Sequence, residues 1–211
     1  MKRILLLILN IFLITTFLFG CGNPYKKQNE NLHSEEKSVI HSINIEPTTP
    51  KWSLDQITGA DMADIDYASK DIVIFHGYFG LFVYDLNNSK IIRSLDLKSI
   101  NCSATQGDSY CEVEISNDGN TVQLHEMNNK KMYVYSVPDN TLHEMNYSQM
   151  KDSFESHLVD IKEAMGKRNG ALSHYAVKLE SGEYGYLIGD GTLGTLEYVC
   201  GDKRYSLFKS S

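Results

Sequence analysis

The pairs His125-Glu126 and His143-Glu144 begin as the helix of a zinc peptidase begins, with an imidazole followed by a candidate general base. That chemistry requires a second imidazole four residues on, sharing one helical face. Asn129 and Tyr147 occupy those places instead, so the ligand set is incomplete and neither a metal nor a cofactor is expected. Ser148-Gln149-Met150-Lys151 has the serine-to-lysine spacing of penicillin-recognising enzymes, but no Lys-Thr-Gly or Ser-x-Asn element accompanies it. Ser148 is better accounted for as a helix cap. Asp118-Gly119 and Gly189-Asp190-Gly191 lack the alternating oxygen ligands and closing acid of a calcium loop, and ordinary turns explain them. His76 and His125 hold equivalent places in two similar segments, which reads as a shared strand-end environment. With every catalytic pattern incomplete, the chain is read as non-catalytic; an envelope enzyme using Ser148 and Lys151 is the rival reading.

The cysteines carry other chemistry. Cys21 follows Leu18-Phe19-Gly20 at the end of an apolar run, Ile4 to Phe17, that is itself preceded by Lys2 and Arg3. A cationic start, an apolar stretch of secretory length, a small residue and then cysteine form a bacterial lipoprotein export signal, so Cys21 is the expected lipidation site. Phe19 departs from the small residue usual there. A retained spanning helix is the alternative, but the run is shorter than the roughly 20 apolar residues needed. Acyl chains add membrane affinity of about 0.8 kcal/mol per buried CH2, and two or three hold a protein stably. The mature chain is therefore expected on the cell membrane, facing outside the cytoplasm. There, Cys102 and Cys111, at the two ends of a polar loop, are expected to pair as a disulfide, with two free thiols as the alternative. Cys200 is left without a partner.

The chain has 20 Lys and Arg against 27 Asp and Glu, a formal −7. Removal of residues 1–20 takes Lys2 and Arg3 and no acid, leaving −9. An anion of this strength does not gather phosphates by counterion release, which argues against nucleic acid as a partner. Repulsion from anionic headgroups also holds the body off the bilayer, so attachment falls to the lipid. From Gly22 to Pro50 the sequence is polar and poor in aromatics, and 21–50 is expected to be a flexible tether with a reach of about 30 Å. An edge strand over Ser38 to Ile45 is the alternative within it. Residues 51–211 have the length of one domain with its own core.

That body repeats one pattern. Asp71 to His76, Leu81 to Leu86 and the segment through Ile92 align with Asn120 to His125, Met132 to Val137 and the segment through Leu142. Each copy is preceded by a further strand candidate, Ala63 to Tyr67 and Cys111 to Ile115, and Asp118-Gly119 supplies the positive φ of a tight hairpin. A looser third copy runs through Tyr175 to Leu179, Tyr184 to Ile188, Leu196 to Val199 and Arg204 to Phe208. Aromatic and β-branched residues at period two, with Gly, Asn and Asp turns, give an all-β fold of three antiparallel meanders. Three units fall short of a closed ring, so the expected form is propeller-like or a sandwich. Met150, Phe154, Leu158, Ile161 and Met165 recur at spacings of three and four, predicting one amphipathic helix over 148–165 that covers a sheet face or edge. Most of the 13 tyrosines fall on strands; Tyr78 with Phe79, at a loop tip, form a candidate recognition patch.

The segments Ile74 to Leu86, Cys102 to Cys111 and Gly182 to Leu187 resemble an extracellular region carried by clostridial proteins of the BlaR1/MecR1 peptidase family, where it is appended to a membrane-embedded antirepressor peptidase. The resemblance covers roughly residues 51–208 and touches no catalytic part. It implies an outward-facing, sensory or ligand-binding module whose partner is an extracytoplasmic protein or a small ligand. A structural remnant of a larger receptor is the further alternative.

Overall fold

The computed structural model describes residues 41–44, 63–77, 80–103, 110–127, 129–165, 171–190 and 195–208. The signal segment with Cys21 and the patch Tyr78-Phe79 lie outside them. Three antiparallel meanders account for nearly all of the strands, as the repeat predicts. The first is a four-stranded sheet, β2 (Ala63–Ala68), β3 (Ile72–Gly77), β4 (Gly80–Asp85) and β5 (Lys90–Leu95). The second contains β6 (Cys111–Ile115), β7 (Thr121–Glu126), β8 (Lys131–Ser136) and β9 (Thr141–Asn146), with β1 (His41–Asn44) added beside β9. The third runs β10 (Leu158–Asp160), β11 (Ala171–Lys178), β12 (Tyr184–Asp190), β13 (Thr195–Cys200) and β14 (Lys203–Phe208).

Local chemistry sets the hairpins. Asp85 folds the turn after β4 by accepting from the backbone N–H groups of Asn87 and Asn88 at 2.8 and 2.9 Å. Ser89 and Asn140 close the equivalent turns of the first two meanders in the left-handed region, at φ 51° and 55°. Both residue types have short polar side chains, and asparagine is among the few that tolerate that region well. The sequence alignment of the first two units therefore extends to their turns.

The first meander lies between the other two. Its strands β2 to β4 are buried almost without interruption, whereas β7 alternates buried and half-buried positions. Alternation is the mark of a sheet with one covered face; an unbroken run means cover on both. On one side Phe75 and Phe82 stack at 5.3 Å, and both meet Phe208 of the third meander edge-on at 5.8 and 5.2 Å. On the other side Arg93 of β5 donates to the carbonyls of Val137 and Pro138 at 3.0 and 3.2 Å. The remaining face of the third sheet is covered by a short helix, α1 (Ile161–Met165), with Val159, Ile161, Ala164 and Met165 packed on Ala176, Tyr186 and Val199.

The inner strands β2, β6 and β11 come together, β2 touching both of the others. Their early residues share one cavity, while the turns that follow them share another at the opposite end, so all three run in the same direction. The arrangement is blade-like without ring closure, and a 3-10 turn, Phe154–His157, touches β2, β6 and β10.

Two expectations are corrected. The helix over 148–165 does not form as one element: residues 148–152 are irregular, Ser153 bridges Ser116, and Phe154–His157, β10 and α1 follow in turn. The apolar spacing did report burial, since Met150 and Phe154 are buried and Leu158, Ile161 and Met165 half-buried. The edge of β11 offers backbone partners that a helix would forgo, and Leu158, Val159 and Asp160 pair there with Val177, Ala176 and Tyr175. The edge is thus covered as expected, by a strand instead of a helix. The second concerns the tether: His41–Asn44 pairs with β9, as the edge-strand alternative over Ser38 to Ile45 has it.

Gly119 turns β6 into β7 at φ +71°, and a Cβ there would stand 2.7 Å from the ring of Tyr67. Gly182, at φ +84°, faces open space. Gly182→Ala is expected to lose about 1–2 kcal/mol from the left-handed backbone alone. Gly119→Ala, which adds an overpacking cost of about 1–3 kcal/mol, should lose clearly more in urea denaturation of the two variants.

Candidate functional site

A residue too many in β2 creates the site. Asp64 pairs with His76 and Ile65 with Phe75, but Tyr67 pairs with Ile74, leaving Asp66 as a bulge. A bulge bends its strand and re-aims a side chain, and here the Asp66 carboxylate meets His76 on the adjacent strand. His76 Nδ1 lies 2.9 and 2.8 Å from the two carboxylate oxygens, and Asp66 is only 7% exposed. Burial works against charge on the imidazole, but the Asp66 charge, its hydrogen bond and the nearby Asp64 outweigh it and raise the His76 pKa. Burial likewise pushes Asp66 up, further than the His76 charge pulls it down. His76 therefore holds its proton above the ordinary imidazole range and donates it to Asp66.

A second bulge faces the first. The register of β11 against β12 slips between Leu172 and Ala176, and the displaced backbone is held from both sides. Ser173 Oγ donates to the Tyr175 carbonyl at 2.7 Å, and Asp64 of β2 accepts the His174 backbone N–H at 2.9 Å. Asp64 also faces the His174 ring at 3.2 Å. The result presents Tyr175 with 47% of its surface exposed, near Tyr110, which is 40% exposed at the entrance to β6.

Between the bulges lies a cavity of about 260 Å³. Asp64, Asp66, Glu112, Glu114 and Glu155 contribute five carboxylates, and among the described residues no lysine or arginine lines it. Burial and the charge of Glu112 raise the pKa of Glu114, a sign that these acids feel one another. Among the described residues no three His, Cys, Asp or Glu side chains converge as metal ligands. The carboxylates are spread around the walls, a distribution suited to an extended organic cation.

A wider groove of about 1120 Å³ lies at the other end of the inner strands, near Tyr67, Lys70, Phe154, Lys178 and Glu183. Its charges are of both signs, and several of its acids are engaged in turns. Asp71 accepts from Asn87 at 3.1 Å, Asp118 from Ser116 at 2.6 Å, and Glu183 from Ser181 at 3.3 Å. In the smaller cavity the acids predominate, and the imidazole of His76 is paired with one of them, Asp66.

The structure disperses the other candidates. Cys102 and Cys111 are both buried and adjacent, but they are free thiols, so the expected disulfide is not formed. Their sulfurs meet in a hydrogen bond that lowers the Cys102 pKa and, with burial, raises that of Cys111. Cys111 Sγ also lies 3.7 Å from the Glu112 carbonyl. Burial opposes the thiolate at Cys111, whereas at Cys102 the hydrogen bond outweighs burial. Ser148 and Lys151 are exposed on non-helical chain, where the helix that would align them is absent. His125 and His143 sit on β7 and β9, separated by β8, on the sheet face opposite Leu124 and Leu142, and each keeps a buried Nδ1 without a partner. His125 Nε2 contacts the Asn129 carbonyl at 2.9 Å, and its ring stacks on Tyr147 at 4.1 Å. His76 and His125 do occupy equivalent strand positions, but only His76 meets a buried acid. Sequence reading missed Asp64, Asp66, Tyr110 and Tyr175; the available signal was two acids placed in an otherwise apolar inner strand.

Comparison of the chain with family models, with curated proteins and with solved structures finds no match to any of them.

Removing one partner of a buried pair strands the other, at a cost of about 3–5 kcal/mol. Asp66→Ala should lower stability by that order in urea denaturation. The pH dependence has a definite sign. While Asp66 keeps its charge, the stabilisation contributed by the raised His76 is fully present below its unfolded value, about 6.5, and is lost as pH rises through the folded one. Wild type should therefore weaken on the alkaline side of that point, and Asp66→Ala should lack the decline; denaturation midpoints across pH measure both.

Proposed function

We propose that this chain is an exported, lipid-anchored, non-catalytic binding module of the bacterial cell surface, sensor-like in role, whose ligand is cationic. The observation that carries the reading is the cavity at the meeting of β2, β6 and β11, with five carboxylates, no lysine or arginine among the described residues, and two half-exposed tyrosines. A like-signed cleft with low-dielectric walls concentrates counter-ions. Tyrosine faces add about 0.5–1 kcal/mol toward a cation at exposed sites. An amine or guanidinium, free or on a peptide, answers both features. The export signal ending at Cys21 supports the compartment, and the resemblance to the extracellular region of the BlaR1/MecR1 family supports a sensory role. Exposure of Ser148 and Lys151 on irregular chain favours binding over envelope hydrolysis.

Two measurements test the reading. Metabolic labelling with a clickable fatty acid should mark wild type and not Cys21→Ala; label retained in the variant, or absent from wild type, removes the anchor. Calorimetry of the full chain in detergent with spermidine as probe should show saturable binding that the double variant Glu112→Gln, Glu114→Gln weakens at least tenfold. Unchanged affinity in that variant places the ligand elsewhere.

A further inference from the structure

We infer that the Asp66–His76 pair is a proton-operated control on the acidic cavity, releasing a bound cation on acidification. The inference rests on the cavity being the ligand site. Its ground is geometric. The imidazole and the carboxylate are in contact at 2.8 and 2.9 Å, each with a side chain about one-tenth exposed or less, and both line the cavity. At neutral pH the two charges cancel, and the cavity's field is set by the acids around them. These are Asp64 on β2, Glu112 and Glu114 on β6, and Glu155 on the 3-10 turn, with Tyr110 and Tyr175 at the mouth. His174 of β11 stands behind Asp64, 67% exposed.

A proton taken up by Asp66 breaks this balance. The carboxyl becomes neutral, the imidazolium beside it is left uncompensated, and one positive charge is added at the wall where the ligand's own charge must sit. Because burial raises Asp66 above the ordinary carboxylate range, the step comes at milder acidity than protonation of exposed acids. The pair also links the cavity to the fold, since Asp66 is the extra residue of the β2 bulge and its neighbour Asp64 holds the β11 bulge in place. Loss of the ion pair loosens the bulge and is felt at Tyr175.

The test uses the full chain in detergent, with spermidine titrations at several pH values and NMR of ring-labelled tyrosine and histidine without ligand. Wild type is expected to lose more than tenfold in affinity between pH 7.5 and 5.5, and the Tyr110 and Tyr175 signals to shift over the same range while His76 stays protonated. The double variant Asp66→Asn, His76→Gln keeps Glu112, Glu114, Glu155 and Asp64 but removes the pair, and should lose less than threefold. Equal pH dependence in the two proteins overturns the inference, as does a His76 ring that loses its proton with an ordinary imidazole midpoint. Failure of spermidine to bind wild type at any pH counts against the ligand site itself. The wild-type tyrosine and histidine titrations still decide the pair in that case, and they also decide it where the double variant does not fold.

Discussion

Burial of one sheet on both of its faces is the constraint from which the rest of this structure follows. The meander β2 to β5 has partners on either side, so Ile65, Ile74, Phe75, Leu81, Phe82 and Val83 are all wholly inaccessible. A polar side chain on such a sheet has no solvent face to turn to. Ser94 is buried too, but Asp66 is the one acid buried there among the described residues, and it persists because His76 stands one strand away with a proton to share. A buried carboxylate without that partner would carry several kcal/mol of desolvation cost.

The bulges reconcile this crowding with a cavity. Regular pairing along β2 would keep Asp66 on the face of Asp64 but opposite Ile74; in the bulge Tyr67 takes Ile74 as its partner, and Asp66, left without a ladder partner, reaches His76. In β11 the corresponding irregularity spreads over Ser173 to Tyr175 and is stitched by Ser173 and Asp64. In β11 side-chain hydrogen bonds of Ser173 and Asp64 stand in for lost ladder bonds, and in β2 the bulge carries the Asp66–His76 contact. Space opens between strands that would otherwise pack shut, and it opens where acids have been gathered.

The repeat was legible because period-two patterning and turn chemistry are local. Ser89 and Asn140 fall at matching turns, Asp118-Gly119 makes its hairpin, and most predicted strands are found within a residue or two, with β5, β9 and β11 extending three or four residues further. The helix was misread because the spacing of Met150, Phe154, Leu158 and Ile161 fits any segment that alternately touches a core. What decided its form was the free edge of β11, a tertiary fact that no local window contains. The site was illegible for the same reason. Asp64 and Asp66 announce themselves only as acids in an apolar strand, and their meaning depends on a register slip against β3 and on the approach of β6 and β11. Cys102 and Cys111 illustrate the converse, since their proximity was readable from the loop between them, and their thiol state depends on the core that closes around it.

Position on the inner strands distinguishes the acidic cavity from the groove at the opposite end. The groove is built from turns, whose acids are already spent on the backbone and side chains that shape them: Asp118 on Ser116 and Asn120, Asp71 on Asn87. The cavity is built from strands, whose backbone groups are satisfied by their own ladders. Glu112 and Glu114 alternate with Cys111, Val113 and Ile115, which pack in or against the core, and Glu114 also accepts from the Met150 backbone N–H. The concentration of acids on β2 and β6 is thus a property of the site even though Asp64, Asp66 and Glu114 also serve the fold.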